Sequence, residues 1–393
     1  MTEVRFQDKA ILMAGMISDR IGMALLYIVF GPLVRELGLT EIQFGMLIAA
    51  ANITLGFASP YWGRRSQAIG RRPVFVIGLS GYSLGFLFLA IALKAGLVGW
   101  LTPMVLFLIL LAIRLAYGLF AAATQPAATA YLADITDTGS RTQGMALIGI
   151  AAGVGTVLGP ILGGALATVG AVFPLYVAAG LAAIAAALAF GGLREPVRHA
   201  AASARSRMRI LDPRIFVYLV GWCLIVLVLT AVQTITVFYL EDRFALSGRE
   251  LITQATSVAF LVMGLGMVFT QAVVLQVFRI PPIVLLRAGF LLFGIAMLVL
   301  WAAGNLVVLY LAYGLMGLGF SILIPGLNGA ASISVGDHEQ GAVAGLLAAA
   351  PVLGMVFGPV LGTALYGLEP ALPMLLGAAG CLAMGLCFFR PKR

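Results

Sequence analysis

Charged residues are scarce in this sequence: they make up 10% of its 393 residues, whereas 62% are hydrophobic. A soluble domain carries roughly 25% charged residues. A large core cannot explain the shortage, because a soluble protein still needs a surface that water can wet. The composition therefore excludes an ordinary soluble domain and predicts an integral membrane protein. The 48 glycines agree with helices that pack closely in lipid.

Residues with catalytic or metal-binding chemistry are also few. There are two histidines, with His199 in a polar linker and His338 in a loop, and no paired aspartates occur in the apolar segments. Cys223, Cys381 and Cys387 lie in apolar segments without metal or redox spacing, so we expect them to be packing residues. A phosphate-binding loop of the Gly-x-x-x-x-Gly-Lys-Ser/Thr type is absent. The sequence therefore predicts no enzyme, no metal site, no cofactor and no drive by ATP.

The apolar residues form long runs, and a helix needs about 20 of them to span a bilayer. The first run is too long and too charged for a signal peptide. We predict an all-α membrane protein in which a bundle of six helices (1–193) is joined by a linker (194–212) to a second bundle of six (213–393). The twelve predicted spans are 10–34, 41–62, 73–95, 102–130, 142–167, 172–193, 213–240, 250–277, 282–303, 305–333, 341–366 and 369–389.

Basic residues are unevenly distributed among the connections between spans. The second connection contains Arg64, Arg65, Arg71 and Arg72, and the linker and C-terminal tail are also basic, whereas the first and seventh connections are near neutral or acidic. Because basic loops stay in the cytoplasm, we expect a bacterial-type inner-membrane protein with both termini inside. The net charge of +9 then reports topology and not nucleic-acid binding, although the linker could contact anionic lipid.

Two segments about half the chain apart share one pattern. One begins at Ala116 and the other at Ala312. Each opens on Ala-Tyr-Gly-Leu, contains a proline, crosses a polar turn followed by Gln-Gly, and closes on Gly-Pro-x-Leu-Gly. Secondary transporters are often built from such a repeat of membrane helices, with two bundles that rock about a substrate site. The repeat therefore predicts a transporter.

Three motifs carry a specific resemblance. The segment GRRSQAIGRRPVFV follows the second span, Arg114 and Gly118 form Arg-x-x-x-Gly in the fourth, and GTVLGPILGG in the fifth begins at Gly155. These resemble the Gly-x-Leu-Ala-Asp-Arg-x-Gly-Arg-Arg-Pro loop, the fourth-helix motif and the exporter-type fifth-helix motif of the major facilitator superfamily. With AYLADITD at 130–137 and an acid in the first span, the likeness is to tetracycline-type drug/proton antiporters. The resemblance implies a twelve-helix exporter that exchanges protons.

One position departs from the family pattern: Gln67 stands where the family has an aspartate that helps to latch the outward-facing state. Glutamine can hydrogen-bond but cannot form an ion pair. We expect Asp134, at the end of the fourth span, to bridge to Arg71 and supply part of the network. The alternative is that the arginines only set topology. The predicted gate-loop residues are Gly63, Arg64, Gln67, Gly70, Arg71, Arg72 and Asp134.

Glycines recur every four residues in the fifth and eleventh spans, so they form one stripe on each helix. A bare stripe lets a neighbouring backbone approach closely, and a proline bends the helix. We expect these positions to act as packed hinges between the bundles; ordinary small-residue packing is the alternative. The predicted hinge residues are Gly155, Gly159, Pro160, Gly163, Gly354, Gly358, Pro359 and Gly362.

Of 24 basic and 15 acidic residues, only Asp19, Arg20 and Arg114 are predicted to lie deep in the membrane. Asp19 lies roughly 15 Å along the first span, near the middle of a roughly 30 Å core. Because neighbours on a helix point about 100° apart, we expect Asp19 and Arg20 to face different surroundings. Two interpretations stand: Asp19 neutralises Arg20 or Arg114 and pins helices together, or Asp19 gains and loses a proton during transport.

The remaining polar and aromatic residues within the spans suit an amphipathic organic molecule better than a sugar. The predicted cavity residues are Tyr27, Tyr117, Phe120, Gln125, Trp222, Gln233, Tyr239, Tyr313 and Asn328. The sequence thus predicts a monomeric exporter of a small organic substrate in exchange for protons. The alternatives are an exporter or importer of a specific metabolite such as a siderophore, or a receptor or scaffold that does not transport.

Overall fold

The structure is a computed structural model that describes residues 2–136, 141–196, 209–246, 248–275, 278, 280–336 and 339–389, with 2–5, 141–146 and 274 described by backbone alone. These residues are helical and include no β-strand, which confirms the predicted all-α class. Much of the predicted linker, both histidines and the basic C-terminal residues lie outside the described ranges. The predicted limits of the linker therefore stay a prediction.

Two compact units are present. One comprises Met1–Ala201 with Gly248–Ser257, and the other Ala202–Ser247 with Val258–Arg393. A π-helical turn, Thr270–Val274, follows α9. The α-helices are α1 (Thr2–Glu36), α2 (Glu41–Ile69), α3 (Arg71–Leu97), α4 (Pro103–Ala121), α5 (Thr124–Ile135), α6 (Arg141–Ala167), α7 (Phe173–Gly192), α8 (Phe216–Phe244), α9 (Arg249–Phe269), α10 (Pro282–Trp301), α11 (Leu306–Ile333), α12 (Gln340–Leu368) and α13 (Leu372–Cys387).

The pairing of helices repeats between the units. In the first unit α1 packs on α6, and α3 packs on α4 and α7. In the second unit α8 packs on α12, and α10 packs on α11 and α13. Eleven helical segments in the described ranges are long and apolar enough to cross a membrane. The last helix, Leu372–Cys387, is shorter than the predicted twelfth span.

The predicted fourth span is two helices. Pro126 lacks the N–H that would bond to the carbonyl of Ala122, and its ring crowds that carbonyl, so the helix cannot run through regularly. The Ala123 N–H bonds instead to the Phe120 carbonyl at 3.0 Å, three residues back. As a result α4 ends at Ala121 and α5 begins at Thr124. We call this break, Ala122–Ala123, the α4–α5 joint.

The predicted loop between the second and third spans is wrong. α2 stays helical through Ile69 and α3 begins at Arg71, so Gly70 alone separates them. Gly70 has a φ of +115°, which a residue with a side chain rarely adopts. Glu195, which follows α7, caps α3: its carboxylate accepts the backbone N–H groups of Arg71 at 2.6 Å and Arg72 at 3.1 Å. The arginines therefore lie at helix ends, and not in a free loop.

Both predicted glycine stripes pack helices within one unit. A side chain at Gly159 would collide with Cβ of Ala24 on α1 at 2.5 Å, and Gly155 lies against Arg20 on the same helix. In the second unit a side chain at Gly354 would approach the Leu227 backbone of α8 at 2.6 Å. The stripes thus join α6 to α1 and α12 to α8; their function as hinges between the bundles stays a prediction.

We expect Gly358→Ala to destabilise the second unit by about 1–3 kcal/mol, because the added methyl group would overfill the α8–α12 contact. It would collide with the Thr230 hydroxyl and lie 2.6 Å from the Leu227 carbonyl. Gly367→Ala is the matched control, since nothing lies within 4 Å of its Cβ position in the same helix. Thermal unfolding in detergent compares the two variants. Equal melting temperatures would mean that α8 and α12 are not in tight contact at Gly358.

Candidate functional site

Asp19 and Arg20 lie side by side on α1, and their charged groups meet. The Arg20 Nε lies 3.7 Å from the Asp19 Oδ2, with 22% of the Asp19 side chain and 38% of the Arg20 side chain exposed. The Arg20 Nη2 also donates to the Gln125 Oε1 of α5 at 3.3 Å. Asp19, Arg20 and Gln125 thus form a cluster, which we call the Asp19 cluster.

The expectation that Asp19 and Arg20 would face different surroundings is wrong. The Cβ of Arg20 lies against the bare Gly155 of α6, which fixes where the side chain starts. The rest of an arginine side chain is long and flexible enough to bend back along the helix. The guanidinium therefore reaches both Asp19 and α5, despite the angle of about 100° between neighbouring Cβ directions.

Arg114 is the other predicted deep charge, and it does not pair with Asp19 in the described residues. It is 1% exposed, and its Nε donates to the Leu47 carbonyl of α2 at 3.2 Å. The guanidinium carbon lies 4.7 Å from the centre of the Tyr117 ring, which is a cation–π geometry. Its Nη2 is buried without a hydrogen-bond partner in the described structure. Arg114 is thus a buried cation with an unused donor.

Two tyrosines, Tyr82 and Tyr117, pack beside these charges in the first unit, and we call them the tyrosine layer. The Tyr82 hydroxyl of α3 donates to the backbone carbonyl of Asp19 at 2.8 Å. The Tyr82 ring lies 5.5 Å from that of Tyr117, whose hydroxyl approaches the Met23 sulfur at 3.4 Å. Tyr82 and Met23 could not be recognised as site residues from the sequence, because both are common in apolar helices. Only the fold brings them to the charges.

The predicted bridge between Arg71 and Asp134 is confirmed. The Arg71 Nε donates to the Asp134 Oδ2 at 3.0 Å, and its Nη1 donates to the Ser66 hydroxyl at 2.6 Å. Gln67, Arg64 and Gly63 lie in the last turns of α2. We call Ser66, Arg71 and Asp134 the Arg71 network. It forms without an acid at position 67, and Glu195 supplies a carboxylate to the backbone at the same end of α3.

The predicted cavity residues of the first unit differ in accessibility. Tyr27 and Tyr117 are buried, whereas Phe120 is 42% exposed and Gln125 is also exposed. Phe120 and Gln125 flank the α4–α5 joint. Phe120 and Gln125 therefore present surface at the outside of the unit, whereas the two tyrosines lie in its interior.

The predicted cavity residues of the second unit also differ in accessibility. The Tyr313 hydroxyl bonds to the Thr236 hydroxyl at 2.5 Å, and the Tyr239 hydroxyl donates to the Leu300 carbonyl at 2.8 Å; both tyrosines are buried. Trp222 donates its indole N–H to the Asn328 Oδ1 at 3.1 Å, and Asn328 is exposed. Gln233 is half-buried in α8. The tyrosines thus satisfy internal polar groups, and Asn328, held by the buried Trp222, presents a polar surface.

A further ion cluster lies in the second unit before α8 begins. The Arg214 Nη2 lies 2.8 Å from the Asp212 Oδ2 and 2.9 Å from the Glu339 Oε1. Hydrogen bonds from Arg214 hold the pKa of Asp212 below its usual range. The cluster fastens the segment before α8 to the start of α12. Asp212 was placed in the linker by the sequence, and the contact of its neighbour Arg214 with Glu339, on a distant connection, could not be predicted.

Comparison with known proteins decides the family. A model of the Major Facilitator Superfamily matches residues 12–359. The chain belongs to the Major Facilitator Superfamily. This transporter is 26% identical over 385 residues to multidrug resistance protein 1 of Bacillus subtilis (strain 168), covering 96% of this chain and 94% of that protein.

Two further relatives agree. Identity is 27% over 392 residues with the class D tetracycline resistance protein of Salmonella ordonez, covering 91% of this chain and 94% of that protein. The crystal structure of the human organic anion transporter MFSD10 (TETRAN) matches with a TM-score of 0.68 at 20% identity, covering 98% and 99% of the two chains. The predicted family and fold are therefore confirmed, and the chain is a multi-pass membrane protein of a transporter family.

Proposed function

We propose that this transporter exports small amphipathic organic molecules in exchange for protons. The names of two relatives refer to multidrug and tetracycline resistance, which supports export of such molecules. The observation that carries proton coupling is the Asp19 cluster, a carboxylate inside an apolar span with partial exposure. A charge there is costly, so it is rarely retained without a task.

The geometry of the Asp19 cluster suits a carboxylate that takes up and releases a proton. Asp19 and Arg20 are 3.7 Å apart, too far for a strong hydrogen bond, and Arg20 also bonds to Gln125. Burial and a neighbouring cation act in opposite directions on the charge of a carboxyl group. A small rearrangement of Arg20 would therefore change the protonation of Asp19. The partial exposure of both side chains gives protons a route to the carboxylate.

The surface offered to a substrate is mostly apolar with a few polar groups. Phe120 and Gln125 are exposed beside the α4–α5 joint in the first unit, and Asn328, which accepts from the buried Trp222, is exposed in the second. Such a surface suits an amphipathic molecule that is held by apolar contact and oriented by amides. We further propose a monomer in a bacterial-type inner membrane with both termini in the cytoplasm, as the basic connections indicate. No catalytic function is proposed.

Flux into proteoliposomes tests the proposal. Purified protein is reconstituted, and accumulation of ethidium and of tetracycline is measured with the vesicle interior acidic, with the exterior acidic, and without a gradient. Antiport predicts accumulation only with an acidic interior, because protons leaving drive substrate entry whichever way the protein is inserted. Accumulation with an acidic exterior would indicate symport, the uptake alternative. Equal flux under all three conditions would contradict proton coupling.

A further inference from the structure

The α4–α5 joint has no counterpart in α11, the matching helix of the second half of the repeat. α11 contains Pro325 within an unbroken helix, Leu306–Ile333. The first half instead interrupts its helix at Ala122–Ala123 and continues as the separate 12-residue α5. A difference between two repeats of similar pairing points to a task that only the first half performs.

Trp62 of α2 binds the joint from a neighbouring helix. The Leu119 carbonyl would accept the Ala123 N–H in a regular helix, but that N–H bonds to Phe120. Trp62 of α2 donates its indole N–H to the Leu119 carbonyl at 2.7 Å. The Thr124 hydroxyl, at the first residue of α5, is buried without a partner in the described structure. An incompletely satisfied break of this kind is expected where a helix changes its path.

The joint rests on a glycine-lined face of α3. A side chain at Gly78 would lie 2.5 Å from the Thr124 hydroxyl, one at Gly81 would collide with Phe120, and one at Gly85 would lie 2.7 Å from the Tyr117 ring. Bare helix surfaces let backbones approach closely without interlocking side chains. The glycines thus provide a smooth surface on both sides of the joint.

The two ends of α5 contact the two charge groups of the first unit. Near its start Gln125 accepts from Arg20 of the Asp19 cluster. Near its end Asp134 pairs with Arg71 of the Arg71 network. Gln125 and Asp134 are nine positions apart, which is about 14 Å of helix and too far for direct contact between the groups. α5 is therefore the physical connection between the two charge groups.

We propose that α5 is a lever that transmits the protonation of Asp19 to the Arg71 network, and that Trp62 is the positioning residue of its joint. This inference rests on the proposed proton coupling. Protonation of Asp19 removes its attraction for Arg20, so Arg20 and its bond to Gln125 rearrange. The start of α5 follows Gln125, the joint bends, and the far end moves Asp134 relative to Arg71.

The test places an environment-sensitive fluorophore at the far end of α5. Cys223, Cys381 and Cys387 are replaced by alanine, and Ala133→Cys carries a bimane label. The emission of the reconstituted protein is compared at acidic and alkaline pH. We expect a pH-dependent shift that is lost in Asp19→Asn, which also controls for any direct effect of pH on the fluorophore.

Two variants change the joint in opposite ways. Trp62→Phe keeps an aromatic ring but removes the N–H donor, and Pro126→Ala supplies the missing N–H and makes the helix continuous. We expect both to lose the emission shift, and Trp62→Phe to lower gradient-driven ethidium flux about fivefold, the effect of one lost hydrogen bond. If Trp62→Phe does not fold, the emission shift of Pro126→Ala alone tests the lever.

Matched controls make the same changes elsewhere. Trp100→Phe alters an exposed tryptophan, and Pro325→Ala alters the proline of α11; both should keep the shift and the flux. A shift that survives both joint variants, or a parent protein without any shift, would overturn the lever. Gradient-driven flux that depends on Asp19 would still support the proposed proton coupling in that case. The lever and the proton coupling can therefore be contradicted separately.

Discussion

Replacement of Asp19 by asparagine should abolish gradient-driven accumulation of substrate and leave the melting temperature near that of the parent protein. Asparagine keeps the size of the side chain and can still accept from Arg20, but its amide cannot bind and release a proton. The Asp19–Arg20 ion pair is long, at 3.7 Å, and both side chains are partly exposed, so its loss should cost little stability. Proteoliposome flux with an acidic interior, and thermal unfolding of the same preparation, measure both effects.

The matched control is Asp8→Asn, the same chemical change on the same helix. Asp8 is 5% exposed, and its Oδ1 has no partner in the described structure, but it lies about 16 Å along α1 from Asp19. Gradient-driven flux should survive this change. A large drop in the melting temperature of Asp19→Asn, with flux that still responds to the gradient, would instead mean that Asp19 only stabilises α1.

Arg114→Ala should lower gradient-driven flux by at least about tenfold, which corresponds to about 1.4 kcal/mol. The change leaves the Leu47 carbonyl without its donor, removes the cation from the Tyr117 ring and opens a cavity. Arg114→Lys should restore part of the flux, since lysine keeps the charge but not the planar group that contacts both partners. Flux through the purified variants, normalised to the amount of folded protein, measures the effect.

Arg287→Ala is a close control for Arg114→Ala. Arg287 lies in α10, donates its Nε to the Phe388 carbonyl at 2.9 Å and lies 4.9 Å from the Phe389 ring centre, so its contacts are of the same kind. It is partly exposed, in the second unit and outside the tyrosine layer. Flux that falls equally in both variants would show that loss of an arginine in a span, and not the position of Arg114, causes the defect.

The length of the apolar runs was sufficient to predict most of the spans, because a bilayer imposes that length on a helix that crosses it, and the shared sequence pattern was sufficient to predict the repeat. The break at Ala122–Ala123 was missed, although Pro126 marked it: prolines also lie inside α1, α2, α6, α11 and α12 without ending them. Whether a proline interrupts a membrane helix depends on neighbours that satisfy the carbonyls left without a partner at the break, as Trp62 does for Leu119. Those neighbours come from the fold.

The candidate site was predicted by residue type but not by pairing. Scarcity of charge identified Asp19, Arg20 and Arg114, because buried charges are rare enough to stand out. The sequence left Arg20 and Arg114 open as partners of Asp19; Asp19 pairs with Arg20, whereas Arg114 contacts other groups, since the direction of a long side chain depends on what packs beside its stem. Gly155 determines the course of Arg20, and Leu47 with Tyr117 that of Arg114. The Arg71–Asp134 pair was predictable because both residues lie at helix ends, where the choice of partners is small.

The capping of α3 by Glu195 determines where the polypeptide can be cut in protein engineering. The Tyr131 hydroxyl donates to the Arg194 carbonyl at 2.5 Å, and Glu195 accepts two backbone N–H groups of α3. Residues 193–195, which follow α7, therefore belong structurally to the N-terminal fragment. A split transporter expressed as two complementing polypeptides, or one carrying an inserted fluorescent protein or protease site, should be divided after Glu195. A division before Glu195 would leave the first turn of α3 uncapped in one fragment, because the capping residue would then belong to the other.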